Sequence, residues 1–110
     1  MPLYRSFLFA PGNHPRRVEK AFTVGADAVI LDLEDAVATT EKPAARAAVA
    51  AALAAPRRCP GYARVNAPAT EFCYADLAAV IGQGIAGVVL PKVESAADLH
   101  AIDWLIANLE

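Results

Sequence analysis

The sequence has little cysteine and little histidine, with two residues of each in 110. Cys59 and Cys73 form no C-x-x-C pair, and neither has histidines clustered around it, so zinc sites and disulfide frameworks are not indicated. No Ser/His/Asp arrangement is recognisable, and neither cysteine follows a predicted strand, where a nucleophile would be expected. These absences turn attention to the carboxylates and the basic residues.

Strong net charge and long apolar runs are also missing. The net charge is −2, which gives no indication of nucleic acid or of an anionic membrane as partner. No apolar run approaches the ~20 residues of a membrane span, and residues 1–6 lack the apolar core of a signal peptide. A chain that is 56% hydrophobic and 20% charged is typical of a globular protein, and 110 residues make at most one domain. We therefore predict a soluble, reduced, cytoplasmic protein.

Strand-like and helix-like segments alternate along the whole chain. The first helix is expected to be capped by Asn13 or His14, with Pro15 in its first turn, and to stop at Gly25. Thr40 is expected to cap the second helix, and Ser95 with Asp98 resembles a capping box for the last one. The predicted strands cover residues 6–10, 28–32, 62–66 and 87–90, and the predicted helices cover about 14–25, 40–55, 71–81 and 95–109.

Four strand–helix units in succession predict a parallel sheet with right-handed crossovers. Both an eight-stranded barrel and an open doubly wound sheet use this unit. No G-x-G-x-x-G follows the first strand, which excludes the dinucleotide-binding form of the open sheet. A barrel typically needs about 250 residues. We therefore predict an α/β protein in which residues 1–110 form the first four βα units, the N-terminal half, of a TIM (β/α)8 barrel; a four-unit open sheet is the alternative.

The second predicted strand ends in three acids within four residues, Asp32, Glu34 and Asp35. Residues 28–31 form a continuous apolar run, which is typical of a strand buried on both faces. Carboxylates at the end of a buried strand repel one another and lose hydration unless a cation compensates them. The stretch therefore predicts that a metal ion, an arginine or a lysine meets these acids.

Candidate cations and further polar residues follow the other strands, where parallel α/β folds place their sites. Arg64 and Asn66 are two apart on the third strand, so they are expected to share a face and to bind a substrate carboxylate or carbonyl. Lys92 and Glu94 follow the fourth strand. A buried ion network that merely closes the top of the sheet is the alternative interpretation. Arg16, Arg17 and Lys20 form either a solvated helix face or a phosphate contact.

Six motifs resemble one known family when they are taken together in this order and at these spacings. They are Arg5-Ser6-x-Leu8-Phe9-x-Pro11-Gly12, Asp32-Leu33-Glu34-Asp35-Ala36-Val37, Lys42-x-x-Ala45-Arg46, Arg64-Val65-Asn66, Asp76-Leu77 and Leu90-Pro91-Lys92-Val93-Glu94-Ser95. The sequence is thereby similar to the HpcH/HpaI aldolase/citrate lyase family, which includes citrate lyase beta subunits and malyl-CoA lyases. The similarity extends over essentially the whole chain.

The resemblance implies a TIM-barrel enzyme that cleaves or forms a carbon–carbon bond in a 3-hydroxyacyl-CoA thioester such as citryl-CoA or malyl-CoA, giving acetyl-CoA and a 2-oxo acid. In this family Mg²⁺ holds the 2-oxo acid, and an arginine stabilises the reacting carboxylate and the thioester carbonyl. By motif, Arg64 corresponds to that arginine. Glu34 and Asp35 are expected to contact substrate or water beside the metal. Arg16 and Lys20 are expected to meet the CoA phosphates and adenine. The direct metal ligands, a Glu and an Asp, have no counterpart here and are expected beyond Glu110.

Two alternatives remain open from the sequence. A malyl-CoA thioesterase uses the same scaffold, and an inactive truncated half-barrel would act only as an interaction module. The family also implies a homo-oligomer, a trimer or hexamer, together with other lyase subunits as partners.

Overall fold

A computed structural model describes residues 3–110, in which strands and helices alternate as the sequence predicts. Its elements in chain order are β1 (Phe7–Pro11), α1 (Pro15–Ala21), β2 (Ala28–Asp32), a 3₁₀ turn (Thr39–Glu41), α2 (Lys42–Ala54), β3 (Gly61–Arg64), α3 (Cys73–Val80), β4 (Gly87–Val89) and α4 (Ala96–Leu109). Within residues 3–110 we find no helix with both the length and the apolar character needed to cross a membrane.

The four strands form one parallel sheet in the order β1-β2-β3-β4. Each strand therefore pairs with the next one along the chain, and Leu31 of β2 lies between Ala10 of β1 and Ala63 of β3 in register. A doubly wound sheet reverses its strand order at a switch point, whereas a barrel adds each strand beside the last. The architecture is accordingly α/β and that of a partial TIM barrel.

The helices cover one face of this sheet. Leu31 and Ala63 point to this face and are fully buried, and Val49 and Leu53 of α2 pack in the same core. All five residues of β2 are buried, as its continuous apolar run predicts. A second, smaller core forms between α3 and α4 around Leu77 and Ile102. These two cores fix the sheet against its helices, so the strand ends have defined positions.

The opposite face of the sheet, which faces the barrel interior, carries aromatic side chains. Phe7 and Phe9 of β1 are about half exposed there, at 50% and 49%. Phe7 and Tyr62 of β3 pack edge to face, with ring centroids 5.8 Å apart, and Tyr4 packs against both. This face also bears the polar residues at the strand ends.

Two of the predicted helix ends are wrong. Thr40 does not cap α2, because it lies inside a 3₁₀ turn closed by a hydrogen bond from the Glu41 amide to the Ala38 carbonyl (2.9 Å), and α2 begins at Lys42. The first helix ends at Ala21 rather than at Gly25, because the amide and the hydroxyl of Thr23 both donate to the Lys20 carbonyl.

The caps of the first and last helices differ from each other. His14 occupies the N-cap position of α1, and no side-chain hydrogen bond caps that helix. At α4 the Ser95 hydroxyl accepts from the Asp98 amide (3.4 Å), as predicted. The Asp98 carboxylate accepts from the amide of Glu94 (3.1 Å) rather than from that of Ser95, so the reciprocal half of the capping box is displaced by one residue.

Candidate functional site

Arg64 and Asp32 form a two-point ion pair at the carboxyl edge of the sheet. The strand register places them directly opposite each other on β3 and β2. Arg64 Nε donates to Asp32 Oδ1 (2.9 Å) and Nη2 donates to Oδ2 (2.8 Å). This parallel arrangement is the strong, directional form of a guanidinium–carboxylate contact. The guanidinium is therefore held in one orientation by the sheet itself.

The turn after β2 supports the same carboxylate. Asp32 accepts further hydrogen bonds from the amides of Glu34 (2.9 Å) and Ala36 (3.0 Å). Burial raises the pKa of Asp32, but the hydrogen bonds from Arg64 and from these two amides outweigh it, so the pKa lies below its usual range. The hydrogen bond to Asp32 in turn raises the pKa of Arg64, against a smaller lowering by burial. Both groups stay charged.

Glu34 lies between two cations. One of its oxygens, Oε1, is 3.6 Å from Arg64 Nε, and the other, Oε2, accepts from Lys92 Nζ at 2.9 Å. Lys92 also approaches Asp35 Oδ1 at 3.9 Å. The predicted meeting of the acids with Arg64 and Lys92 is thus confirmed. We call these five residues, Asp32, Glu34, Asp35, Arg64 and Lys92, the carboxyl-edge cluster; its formal charge is one negative.

One side of the Arg64 guanidinium remains open to a ligand. Its hydrogen bonds within residues 3–110 use Nε and Nη2, and its charge lies over the Phe9 ring at 4.9 Å from the centroid. The side chain is 24% exposed. A planar cation fixed by a carboxylate and an aromatic face, with Nη1 unused, is suited to bind a carboxylate or to polarise a carbonyl group.

The structure places Asn66 apart from this cluster. β3 ends at Arg64, so the predicted strand to residue 66 is too long and the alternation that would align the two side chains stops. Asn66 is buried, and its amide group contacts the Leu33 carbonyl (2.9 Å), Asp76 Oδ2 (2.6 Å) and Lys42 Nζ (2.8 Å). The proposed substrate contact of Asn66 stays a prediction, and the observed contacts are with the protein interior.

The residues around Asn66 form a buried polar network that sequence reasoning missed. Lys42 Nζ donates to the carbonyls of Leu33 (2.9 Å) and Glu34 (3.1 Å) as well as to Asn66. Asp76 is fully buried and accepts from Arg46 Nε at 2.8 Å. Lys42, Ala45 and Val49 are three and four residues apart, so they lie on the same buried face of α2. This spacing was the sequence signal from which the burial of Lys42 could have been predicted. The network fixes the backbone from which Glu34 projects.

Arg16 and Lys20 lie away from these contacts on the exposed surface of α1. With Glu19 and Thr23 they line a shallow surface depression. Their side chains are accessible to an anionic group in solution. The predicted contact with CoA phosphates therefore stays a prediction, for which the structure gives an exposed basic surface.

The described residues do not by themselves build a metal centre. Between residues 3 and 110 there is no group of three or more His, Cys, Asp or Glu side chains arranged to hold a metal ion. Asp32 and Glu34 already have cationic partners, and Asp35 is exposed.

Comparison with known proteins places these features in one family. The model of the HpcH/HpaI aldolase/citrate lyase family matches residues 5–110. The citrate lyase subunit beta of Haemophilus influenzae is 40% identical over 112 residues, and the (3S)-malyl-CoA thioesterase of Cereibacter sphaeroides is 42% identical over 108 residues. They match 100% and 96% of this chain, which spans 38% of the length of each relative.

A solved structure agrees with the sequence relationship. The CitE protein of Mycobacterium tuberculosis, in complex with magnesium, acetoacetate and coenzyme A, superposes with a TM-score of 0.73 at 41% identity. The alignment covers 91% of this chain and 38% of that one. The motifs, the sequential parallel sheet and these matches agree, and the chain belongs to the HpcH/HpaI aldolase/citrate lyase family.

Proposed function

We propose that residues 1–110 are the N-terminal half of a TIM-barrel CoA-ester lyase. The enzyme cleaves or forms the carbon–carbon bond of a 3-hydroxyacyl-CoA thioester such as citryl-CoA or malyl-CoA, with acetyl-CoA and a 2-oxo acid on the other side of the reaction. The observation that carries this proposal is the fixed Arg64 guanidinium at the carboxyl edge, held by Asp32 and with Nη1 unused. The family membership of the chain supports the choice of substrate class.

Arg64 is the catalytic residue in this scheme. When the bond between C2 and C3 of the acyl group breaks, the C3 hydroxyl loses its proton and becomes the carbonyl of the 2-oxo acid. The electron pair of the bond passes to the acetyl fragment, negative charge develops on the thioester oxygen, and uptake of a proton at C2 completes acetyl-CoA. A cation that is already oriented stabilises this charge without having to reorganise. Asp32 and Phe9 hold Arg64 in such an orientation. In the direction of bond formation, the same contact stabilises the acetyl-CoA enolate that attacks the carbonyl group of the incoming 2-oxo acid.

Magnesium and coenzyme A are proposed as the cofactor and the substrate carrier. The complex of CitE from Mycobacterium tuberculosis with both groups supports this assignment. A bound Mg²⁺ polarises the oxygens of an oxo acid as a Lewis acid. As the family resemblance implies, we propose that its direct ligands, a Glu and an Asp, lie beyond Glu110 and that Glu34 and Asp35 orient water or substrate from the side.

The remaining contacts of the enzyme are assigned in the same way. Arg16 and Lys20 bind the phosphates and adenine of CoA, a role supported by their exposure on α1.

The protein is cytoplasmic, as its two free cysteines suggest. The assembly is a trimer or hexamer of this polypeptide, as the family resemblance implies. Its association with other lyase subunits is supported by the similarity to a citrate lyase subunit.

A thioesterase is the second candidate function. The 42% identity to a (3S)-malyl-CoA thioesterase favours it as much as the citrate lyase match favours the lyase. The two reactions differ in their products, because hydrolysis of malyl-CoA gives malate and free CoA, whereas cleavage gives acetyl-CoA and glyoxylate. A polypeptide that does neither supports the third interpretation, an inactive half-barrel that acts only as an interaction module.

The experiment is a product assay on the complete polypeptide that carries these residues. Citryl-CoA and malyl-CoA are each incubated with it and Mg²⁺, and acetyl-CoA, 2-oxo acid and free CoA are separated and quantified. Arg64→Ala is expected to lower turnover by about 10²–10³-fold, as loss of one oxyanion donor does. Arg58→Ala removes an exposed arginine from the amino edge of the sheet and serves as the matched control. Cleavage at the wild-type rate by a folded Arg64→Ala variant contradicts the proposal.

A further inference from the structure

Lys92 has an unusual backbone conformation. Among residues 3–110 it is the one residue other than glycine with a positive φ, at 53°. In this left-handed region the Cβ atom crowds the following carbonyl group, which disfavours every residue except glycine and, to a lesser degree, asparagine and aspartate. Lysine has no short polar group that compensates locally, so another interaction must account for the choice of this residue.

The side chain of Lys92 shows what that interaction is. From the loop after β4 it reaches across the end of β3 to Glu34, which follows β2, and Nζ lies 2.9 Å from Oε2. The Glu34 side chain is only 7% exposed, whereas that of Lys92 is 66% exposed. The buried carboxylate thus has Arg64 on one oxygen and Lys92 on the other. The hydrogen bond to Glu34 also raises the pKa of Lys92.

A purely structural ion pair does not account for a lysine in this conformation. Ion pairs whose lysine is mostly exposed contribute little to stability, while a left-handed residue with a side chain is destabilising. Glycine at position 92 would relieve the backbone. We propose that Lys92 is a positioning residue of the site, whose left-handed backbone directs its ammonium group to Glu34 and so keeps that carboxylate away from the free side of Arg64. This role rests on the proposed function of Arg64.

The proposal predicts what happens when the ammonium group is removed. Glu34 Oε1 is already 3.6 Å from Arg64 Nε, and Oε2 is held by Lys92. Without Lys92, Glu34 turns towards Arg64 and pairs with Nη1, the atom that the ligand needs. The carboxylate then competes with an anionic substrate and misaligns the guanidinium, so turnover falls although no group that touches the substrate has been removed.

The test compares three substitutions in the complete polypeptide. Lys92→Ala and Lys92→Gly both remove the ammonium, but glycine also relieves the backbone, whereas Lys92→Arg keeps a cation. We expect both Lys92→Ala and Lys92→Gly to lose turnover by about 10–100-fold, with Lys92→Gly melting about 2–4 °C above Lys92→Ala. Lys92→Arg is expected to recover most of the turnover. Arg58→Ala, which removes an equal charge at the opposite edge, is expected to leave turnover unchanged.

A double mutant isolates the path through Glu34. If Lys92 acts through this carboxylate, both changes affect one interaction. The double variant Lys92→Ala/Glu34→Gln should then retain at least the turnover of the less active single variant. Multiplicative losses in the double mutant overturn the proposal, as does a Lys92→Gly variant that is both more stable than Lys92→Ala and as active as wild type. Wild-type polypeptide that turns over neither substrate instead contradicts the proposed function, and the role of Lys92 fails with it.

Discussion

Asp32 and Arg64 occupy the same row of the sheet, one on β2 and the other on β3, and their side chains meet through two parallel hydrogen bonds of 2.9 and 2.8 Å. Because the register of two hydrogen-bonded strands sets this contact, the orientation of Arg64 follows from the core and not from a loop. The first prediction concerns the acid that holds it.

Asp32→Asn removes the charge that orients Arg64. The amide has one acceptor oxygen, so one contact with Arg64 and one with a turn amide are lost. We expect a loss of about 1–3 kcal/mol in the free energy of unfolding at pH 7. The pKa of Asp32 is lowered in the folded protein, so its contribution to stability is complete above about pH 5. That contribution disappears as the pH falls through the lowered pKa.

Denaturant unfolding of wild type and Asp32→Asn between pH 7 and about pH 2 checks this sign. The difference between the two free energies should shrink on acidification. A difference that is constant or that grows at low pH contradicts the assignment of a lowered pKa to Asp32.

Lys42→Met tests the buried network beneath the site. The substitution keeps the volume of the side chain but leaves the Asn66 amide oxygen without its donor. The carbonyls of Leu33 and Glu34 each lose one of two donors, and they keep the Asn66 side-chain amide and the Val37 amide, respectively. One unpaired buried acceptor costs about 1–3 kcal/mol, and two carbonyls each lose a charged donor, so we expect a total loss of about 2–4 kcal/mol. The free energy of unfolding in urea measures it. Lys20→Met, on the exposed surface of α1, is the control and should change the value by no more than about 0.5 kcal/mol.

Gly12→Ala tests the close approach of the chain after β1. A Cβ atom at residue 12 would lie 2.7 Å from both the Asp32 carbonyl oxygen and the Val49 Cγ2 atom. Since a backbone atom cannot withdraw as a flexible side chain does, we expect overpacking to cost about 1–3 kcal/mol. The shift should extend to Asp32 and reduce turnover.

Gly25→Ala is the contrasting variant for Gly12→Ala. Residue 25 has a φ of 89° with no atom within 4 Å of an added Cβ, so its cost is conformational alone, about 1 kcal/mol. Turnover should stay at the wild-type level in Gly25→Ala. A thermal melt and a turnover assay of both variants separate the two effects, and equal turnover losses contradict the prediction.

Phe9→Leu tests the aromatic support of Arg64. The ring centroid lies 4.9 Å from the guanidinium carbon, and at a partly exposed position such a contact contributes about 0.5–1 kcal/mol. We expect kcat/KM to fall about two- to fivefold, which corresponds to this energy, while the ion pair with Asp32 preserves the fold. Wild-type kcat/KM in Phe9→Leu indicates that Asp32 alone orients Arg64.

The sequence predicts the elements and the ion pairs of this protein better than it predicts the strand and helix ends. The apolar run of β2 and the charges at the strand ends were sufficient to bring Asp32 and Glu34 together with Arg64 and Lys92, because parallel strands end at one edge. The predicted alignment of Asn66 with Arg64 is wrong, because strand alternation applies only within a strand and β3 ends two residues before Asn66.

Tertiary contacts explain the other differences. Lys42 is buried because the carbonyls of Leu33 and Glu34 and the amide oxygen of Asn66 surround its ammonium group. The spacing along α2 indicates an inward position for this lysine, but it does not identify these acceptors. The left-handed backbone of Lys92 is likewise invisible in a sequence, since lysine is not a residue that signals such a conformation.

The row that Asp32 and Arg64 share has a consequence for engineering. Loops in barrels of this kind tolerate exchange, while hydrogen-bonded strands hold their register. Because the Arg64 guanidinium is anchored to a neighbouring strand, we expect loop positions after β1 and β4, other than Gly12 and Lys92, to accept substitution without moving it. If the proposed function holds, the sheet supplies a fixed cationic hydrogen-bond donor, and the remaining loop positions are where altered substrate preference is to be sought.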